Sequence, residues 1–246
     1  MRWTIEANMA GILDAIDLAK SSGATICAFP ELAITGFHRQ IVTLANDELI
    51  APEIDKLQEI CSRKSISIAV GAPTFTNDDD RFNSLLMINE FGEIASTVSK
   101  IGLTVAGATF FRPGEHRPIS TLGGLRCTAV ICREIEDLDQ VRSQLSPGSV
   151  DVVLWPGQMR PDPDKPVTDP PEHVVQAQEL AKSIGGYVIQ ANWPNALNRP
   201  EESKHTGRSA VIAPDGELLF RLPEHAPGVG VFAMGSRIFE WHPSAA

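Results

Sequence analysis

No run of apolar residues in this chain is long enough to span a bilayer; the best, SISIAVGAPTF, is far too short. No CxxC pair is present either. Cys27, Cys61, Cys127 and Cys132 are scattered, which suits free thiols in a reducing compartment better than a disulfide framework. The six histidines show no HExxH or other metal spacing, so no metal site is expected. No Lys/Arg cluster offsets a formal net charge of −10, which argues against nucleic acid and anionic membranes as partners. Near the N-terminus, Glu6 and Asp14 interrupt the clean apolar core a signal peptide needs, and a cytoplasmic address is expected. Finally, there is no short repeat and no break in composition to mark a linker. With 246 residues, 43% of them hydrophobic, the chain is expected to be one domain over 1–246 with a core of its own.

What is present is an alternation of helix and strand patterns. GILDAIDLAKSSG puts Ile12, Ala15, Ile16 and Ala19 on one face, and PEIDKLQEICSRK does the same with Ile54, Leu57, Ile60 and Cys61. ATICAFP, SISIAVGAPTF, VDVVLWP and YVIQAN are nearly continuous apolar runs, as expected of strands buried on both faces. Hairpins are expected in NSLLMINEFGEIASTVSK, in ISTLGGLRCTAVIC around Gly123-Gly124, and in SAVIAPDGELLFRL, with GVGVFAM as a final strand. TNDDD is a polar turn, PDPDKPVTDPP a proline-rich loop or rim, and LDQVRSQL and EHVVQAQELAKSIGG are helices. The fold class that follows is α/β, with helices covering sheet faces.

Polar residues recur at the carboxyl ends of these strands, where open α/β sheets bind ligands. ATICAFP runs into Glu31, IASTVS into Lys100, CTAVI into Cys132, VVLWP on to Gln158, and YVIQA into Asn192. Taken singly, a buried cysteine is packing, a glutamate caps a turn and a strand-end lysine is solvated. The stretch CREIEDL shifts that balance. A thiol at a strand-to-helix elbow faces backbone N–H groups and the positive end of a helix dipole, which would lower its pKa and offer an oxyanion site. On this view Glu134, Glu136 and Asp137 are first-turn acids favoured by the dipole, and Glu31 could serve as the base such a nucleophile requires.

At these residues the sequence resembles the nitrilase superfamily of carbon–nitrogen hydrolases. The pieces that carry the resemblance are FPELAITGF, FNSLLMINEFGEIASTVSKIGL, FRPGE, AVICREIE, DVVLWP, VVQAQELAKSIGGYVIQAN and GRSAVIAPDGELL, in that order over nearly the whole chain. The resemblance implies a four-layer α-β-β-α sandwich and a Glu31–Lys100–Cys132 triad acting without metal or organic cofactor. Cys132 would attack an amide, carbamoyl or nitrile carbon. Glu31 would take the thiol proton, and Lys100 with the backbone N–H of Arg133 would hold the oxyanion. The implied substrate is a small amide-like molecule. The implied assembly is a homodimer or larger, with LDQVRSQL at an interface. Trp155, Gln158, Arg160, Asn192 and Trp193 follow strand ends as pocket or rim candidates.

Two features depart from the pattern. Only MRWTIEA precedes Asn8, so either the usual first strand is lacking or the recorded start is late. Counting back from Pro113-Gly114 also puts Gly107 where many members carry a second glutamate, with Glu115 just past the turn as a candidate substitute. The expectation is an amidase-type hydrolase. The alternatives are a catalytically impaired member acting as a binding or assembly module and, less in keeping with the Glu…Lys…Cys order, a cysteine hydrolase of another α/β fold.

Overall fold

The computed structural model describes residues 1–76, 80–159, 168–203, 206–224 and 226–244. Arg160, most of the proline-rich run and the centre of the TNDDD turn lie outside the described residues. Helix α1 (Ile5–Ser21) opens the chain, followed by strand β1 (Ile26–Ala28), helices α2 (Ile41–Leu44) and α3 (Asp47–Lys64), and strands β2 (Ser67–Phe75), β3 (Arg81–Ile88) and β4 (Ile94–Ser99). Next come α4 (Val105–Ala108), β5 (Ser120–Leu122), β6 (Leu125–Ala129), α5 (Leu138–Gln144), β7 (Val152–Gly157), α6 (Glu172–Ile184) and β8 (Tyr187–Asn192). Strands β9 (Ala210–Ile212), β10 (Leu218–Arg221), β11 (Gly228–Ala233) and β12 (Ile238–Pro243) close it. Among the described residues no helix is long and apolar enough to cross a membrane.

Local chemistry accounts for the helix boundaries. Thr4 caps α1 by accepting from the Ala7 N–H at 3.3 Å, and Asn46 caps α3 by accepting from Glu48 N–H at 2.9 Å. The apolar spacing then decides which face is buried: Ile5, Met9, Ile12, Ile16 and Ala19 in α1, and Ile50, Leu57, Ile60 and Cys61 in α3. Helix α6 buries Val174, Ala177, Leu180, Ala181 and Ile184 and stops at Gly185, whose left-handed backbone ends the helix without a Cβ clash.

The strands form one sheet in the order β1-β2-β3-β4 and another in the order β10-β9-β8-β7-β6-β5, with β11-β12 as a separate hairpin. Side chains alternate along each central strand and so sort into three apolar layers. Ile68, Val70, Leu86 and Ile88 pack on α1 and α3. Ala69, Leu85 and Met87 instead meet Cys127, Ala129, Val152 and Leu154 of the second sheet. Val153, Trp155 and Val188 turn outward onto α5 and α6. This is a four-layer α-β-β-α sandwich, and it explains why β2 and β7 read as unbroken apolar runs: both faces are covered. Each fully buried Ile or Leu contributes roughly 1.5–3 kcal/mol by removal from water.

Two differences from expectation have physical causes. Strand β1 is only three residues long, because its carboxyl end breaks into the turn that carries Glu31. Strand β12 escaped sequence reading because IFEWHP has exposed or half-buried positions throughout and no buried face to set a period.

The polar strand ends come together because backbone crowds backbone there. At Gly71 of β2 a Cβ would stand 2.3 Å from the Leu32 nitrogen and 2.4 Å from the Pro30 carbonyl oxygen, so the turn holding Glu31 lies directly on glycine. We expect Gly71→Ala to force strand and turn apart and to cost about 2 kcal/mol or more, read as a lower urea midpoint. An unchanged midpoint would show that the turn can yield without cost.

Candidate active site

Glu31 sits in the turn after β1, where Leu32 adopts a left-handed φ of 51° and the Trp193 indole N–H donates to the Glu31 carbonyl at 2.7 Å. Its side chain is 0% exposed. Oε1 accepts from Lys100 Nζ at 2.7 Å and from Asn83 Nδ2 at 2.7 Å, while Oε2 is buried and accepts nothing. Lys100 follows β4 directly and is fixed at both ends of its peptide unit. Its N–H donates to the Asn83 carbonyl at 2.8 Å, and its own carbonyl accepts from Gly114 at 2.8 Å. A Cβ at Gly114 would meet the Ser99 carbonyl oxygen at 2.4 Å, so the Pro-Gly turn can close on Lys100 only as glycine. Burial alone would lower the Lys100 pKa, but the charge of Glu31 and its hydrogen bond outweigh it and hold the ammonium well above the usual lysine value.

Cys132 lies beyond β6, whose line is extended by Val130 donating to Leu154 at 3.0 Å. At Cys132 the backbone turns to φ 54°, a left-handed conformation that costs a non-glycine residue on the order of 1–3 kcal/mol and persists only where its surroundings impose it. Those surroundings are specific. The Trp155 indole N–H donates to the Cys132 carbonyl at 2.8 Å, and Cys132 itself opens a six-residue 3-10 helix, Cys132–Asp137. Glu134 in that helix is no exposed dipole acid. It is ion-paired to Arg117 at 2.8 Å with side chains 1% and 0% exposed, and it accepts from Ile131 N–H at 2.5 Å, Gly102 N–H at 3.1 Å and Ile101 N–H. One carboxylate therefore ties the segment after Lys100 to the Cys132 elbow. Removing either member of such a buried pair typically costs about 3–5 kcal/mol. The other two acids differ again: Glu136 pairs with Arg133 at 3.1 Å on the surface, and Asp137 caps α5 by accepting from Gln140 N–H.

The expected lowering of the Cys132 pKa is overturned. Burial and then the charge of Glu31 push the thiol up to about 11, against the weaker pull of Lys100 and the Gln158 backbone N–H. A short 3-10 helix contributes few aligned peptide dipoles, too few to offset desolvation. At neutral pH the sulfur is a thiol, and it becomes a nucleophile only if a base takes its proton as it attacks.

Lys100, Asn83 and Cys132 line a cavity of about 1070 Å³. Arg133, Trp155 and Gln158 also line it, although each is held by protein: Arg133 donates to the Leu103 carbonyl, Trp155 to Cys132, and Gln158 to the Asn195 carbonyl at 3.1 Å. Asn192 corrects the sequence reading. It is absent from this lining, and its side chain accepts from Met159 N–H and donates to the Met159 and Gly207 carbonyls, stapling the chain after β7. Gly107 lines the cavity from α4, whereas Glu115 is exposed and does not; the carboxylates on the wall are Glu136 and Glu172. Sequence reasoning passed over Asn83, Arg117 and His173. The only trace of Asn83 is a polar residue buried in the half of β3, RFNS, that precedes its apolar run LLMI, and Arg117 leaves no trace because its partner is set by the fold. Among the described residues no group of three or more His, Cys, Asp and Glu is arranged to hold a metal ion.

The carbon-nitrogen hydrolase family model matches residues 1–242, and the chain belongs to that family. Curated relatives include glutamine-dependent NAD(+) synthetases of Acinetobacter baylyi, 25% identical over 89% of this chain and 39% of that one, and of Thermotoga maritima, 22% identical over 87% and 37%. The chain thus spans less than half the length of those relatives. Among solved structures, an amidase from Nesterenkonia sp. superposes with a TM-score of 0.75 at 23% identity, covering 89% of this chain and 81% of that one. The synthetase of Acinetobacter baumannii, solved with adenosine diphosphate, superposes at 0.78 and 20% identity, covering 99% and 46%. These structural likenesses establish a shared fold.

His173, on the same cavity wall, yields a pH prediction. Burial, then Arg208 and Arg221, lower its pKa from 6.5 to about 4, so the folded protein keeps it neutral where the unfolded chain would protonate it. The unfolded state then binds more protons as pH falls through 6.5, and stability drops until about pH 4, by about 3 kcal/mol in all. Urea titrations between pH 7 and 4 are expected to show this slope, and to show it flattened in His173→Gln. Parallel slopes for the two proteins would remove His173 as its source.

Proposed function

We propose that the chain hydrolyses the carbon–nitrogen bond of a small amide through a thioester on Cys132. The observation that carries this is the division of labour on Glu31: one oxygen is bound by Lys100 and Asn83, and the other is buried and open. As Cys132 Sγ attacks the carbonyl carbon, Glu31 Oε2 takes the thiol proton. The Lys100 ammonium, held charged by its surroundings, and the Arg133 backbone N–H stabilise the oxyanion that forms. Glu31 then passes its proton to the leaving nitrogen, the carbon–nitrogen bond breaks, and ammonia or an amine departs. Water, deprotonated by Glu31, attacks the thioester; the acid is released and the thiol regains its proton. No step requires a thiolate at rest, in keeping with the raised Cys132 pKa.

The competing reading is a binding module that has kept the fold. It draws on Gly107, which lines the cavity at the position where the family resemblance leads one to expect a second glutamate. Ammonia release from acetamide, butyramide and glutamine, together with intact-protein mass spectrometry, separates the two. We expect turnover on at least one amide, an acyl adduct mapping to Cys132, and loss of at least about a thousandfold in kcat for Cys132→Ala. Turnover that survives Cys132→Ala would exclude the thioester; no turnover and no adduct across the panel would favour the binding module.

A further inference from the structure

Strands β1 and β11 border a second cavity, of about 290 Å³, that does not include Cys132. A strand edge carries a row of N–H and C=O groups that a neighbouring strand normally pairs. Here β1 is bonded on one side only, to β2, and β11 only to β12. The register tells which groups are left over. Phe29 N–H donates to the Ala69 carbonyl at 2.9 Å, and Ser67 N–H donates to the Thr25 carbonyl at 3.0 Å. Backbone groups alternate sides along a strand, so Thr25, Cys27 and Phe29 face β2 while Ile26 and Ala28 face away from it. In the hairpin, Ser244 N–H donates to the Pro227 carbonyl at 2.9 Å, and the pairing from Gly228–Pro243 to Ala233–Ile238 runs without a shift. Gly228, Gly230 and Phe232 therefore turn their backbone groups away from β12. Among the described residues no hydrogen bond reaches the outward groups of either strand. Both open edges meet one space. Thr25–Pro30 and Gly228–Phe232 line the cavity and no residue of β2 or β12 does, which puts it on the unpaired side of each strand. Ala15 and Ala19 of α1 line it as well, as do Leu154, Ile189 and Val211 of the second sheet, and no charged side chain is among its walls. Along Thr25–Pro30 it borders about 20 Å of chain at about 3.3 Å per residue, the length of an ordinary strand.

We propose that this slot receives one extended strand of another polypeptide, apolar on both faces, which pairs with β1 and β11 and so joins the hairpin to the first sheet. Backbone chemistry selects the occupant. A lipid chain or an aromatic ring would fill the volume and leave two rows of N–H and C=O groups without partners. A helix spends its own backbone groups internally, and a charged ligand would meet no counter-charge. Only an extended peptide offers donors and acceptors along both of its edges. In strand addition of this kind the main-chain bonds supply affinity and alternate side chains supply specificity. Small residues on the α1 side and aliphatic ones on the second-sheet side suit a strand of alternating small and β-branched residues. The slot ends at Phe29 and Pro30, next to Glu31, yet the proposal is independent of the chemistry assigned to Cys132.

The test is amide hydrogen exchange in the whole protein, followed residue by residue by nuclear magnetic resonance. In the free protein the Ile26 and Ala28 amides are expected to exchange at least about tenfold faster than that of Cys27, which faces β2. Equal rates at the three positions would mean a closed edge and overturn the proposal. The probe strand is a peptide of alternating valine and alanine, about eight residues long, with a lysine at each end for solubility. At millimolar concentration it should slow exchange at Ile26, Ala28 and Gly230 by at least about tenfold. No slowing at these amides would overturn the proposal. The control is the same peptide N-methylated at alternate residues, which keeps the apolar surface and loses the donors along one edge. It is expected to protect the three amides at least about tenfold less. Equal protection by the two peptides would make the slot an apolar space open to any filler, and would also overturn the proposal. None of these readings involves turnover, so their failure would leave the hydrolytic mechanism untouched.

Discussion

A carboxylate and an ammonium buried against each other, Glu31 and Lys100 at 2.7 Å, are the contact around which the remainder of the structure is arranged. Withdrawing each ion from water costs several kcal/mol, and their attraction at an effective dielectric near 20 is on the order of 6 kcal/mol, so the pair roughly breaks even as a source of stability. Well-packed apolar side chains would hold the same strands together at least as well. Under the proposed mechanism the pair is stored electrostatics: a fixed positive charge where an oxyanion would form, and a base with one oxygen not held by the protein. Asn83 adds a neutral donor to the same Glu31 oxygen, anchoring the carboxylate without supplying a second charge.

Holding that pair in register with Cys132 falls to the backbone. Two indoles play parallel parts, Trp193 on the Glu31 carbonyl and Trp155 on the Cys132 carbonyl, each reaching a chain segment far away in sequence. Glycine at 71 and 114 lets the neighbouring turns press on Glu31 and Lys100. Glu134, neutralised by Arg117, gathers backbone N–H groups from both sides of the site. The two sheets set the frame, and these contacts remove the remaining freedom. Such preorganisation matters because a base must lie within hydrogen-bond reach of the proton it takes.

The layers were legible in the sequence wherever one period dominated. The stripes of α1 and α6 and the glycine turn at Gly123-Gly124 needed only local rules, and Glu31, Lys100 and Cys132 stood out as polar residues where apolar runs stop. What stayed hidden depends on three-dimensional surroundings. The run CREIED offers three acids with the same local standing, and only the fold places Glu134 against Arg117 while leaving Glu136 on the surface. The pKa of Cys132 was read in the wrong direction because a helix dipole can be inferred from a pattern, whereas desolvation and the approach of Glu31 cannot. Asn192 looked like a strand-end ligand for the same reason Gln158 did; its partners turned out to be backbone of Met159 and Gly207.

The negative charge on Glu31 raises the Cys132 pKa and, in the proposed mechanism, equips Glu31 to take the thiol proton, so one substitution should ease ionisation of the thiol while abolishing turnover. The most direct measurement is thiolate titration of Cys132 by ultraviolet absorbance in wild-type protein and in Glu31→Gln, alongside amide turnover. The expected result is a thiol that ionises at lower pH in Glu31→Gln than the value of about 11 imposed in the native site, together with loss of hydrolysis. A thiol that ionises at the same pH in both proteins, or hydrolysis that persists without the carboxylate, would contradict the role assigned to Glu31.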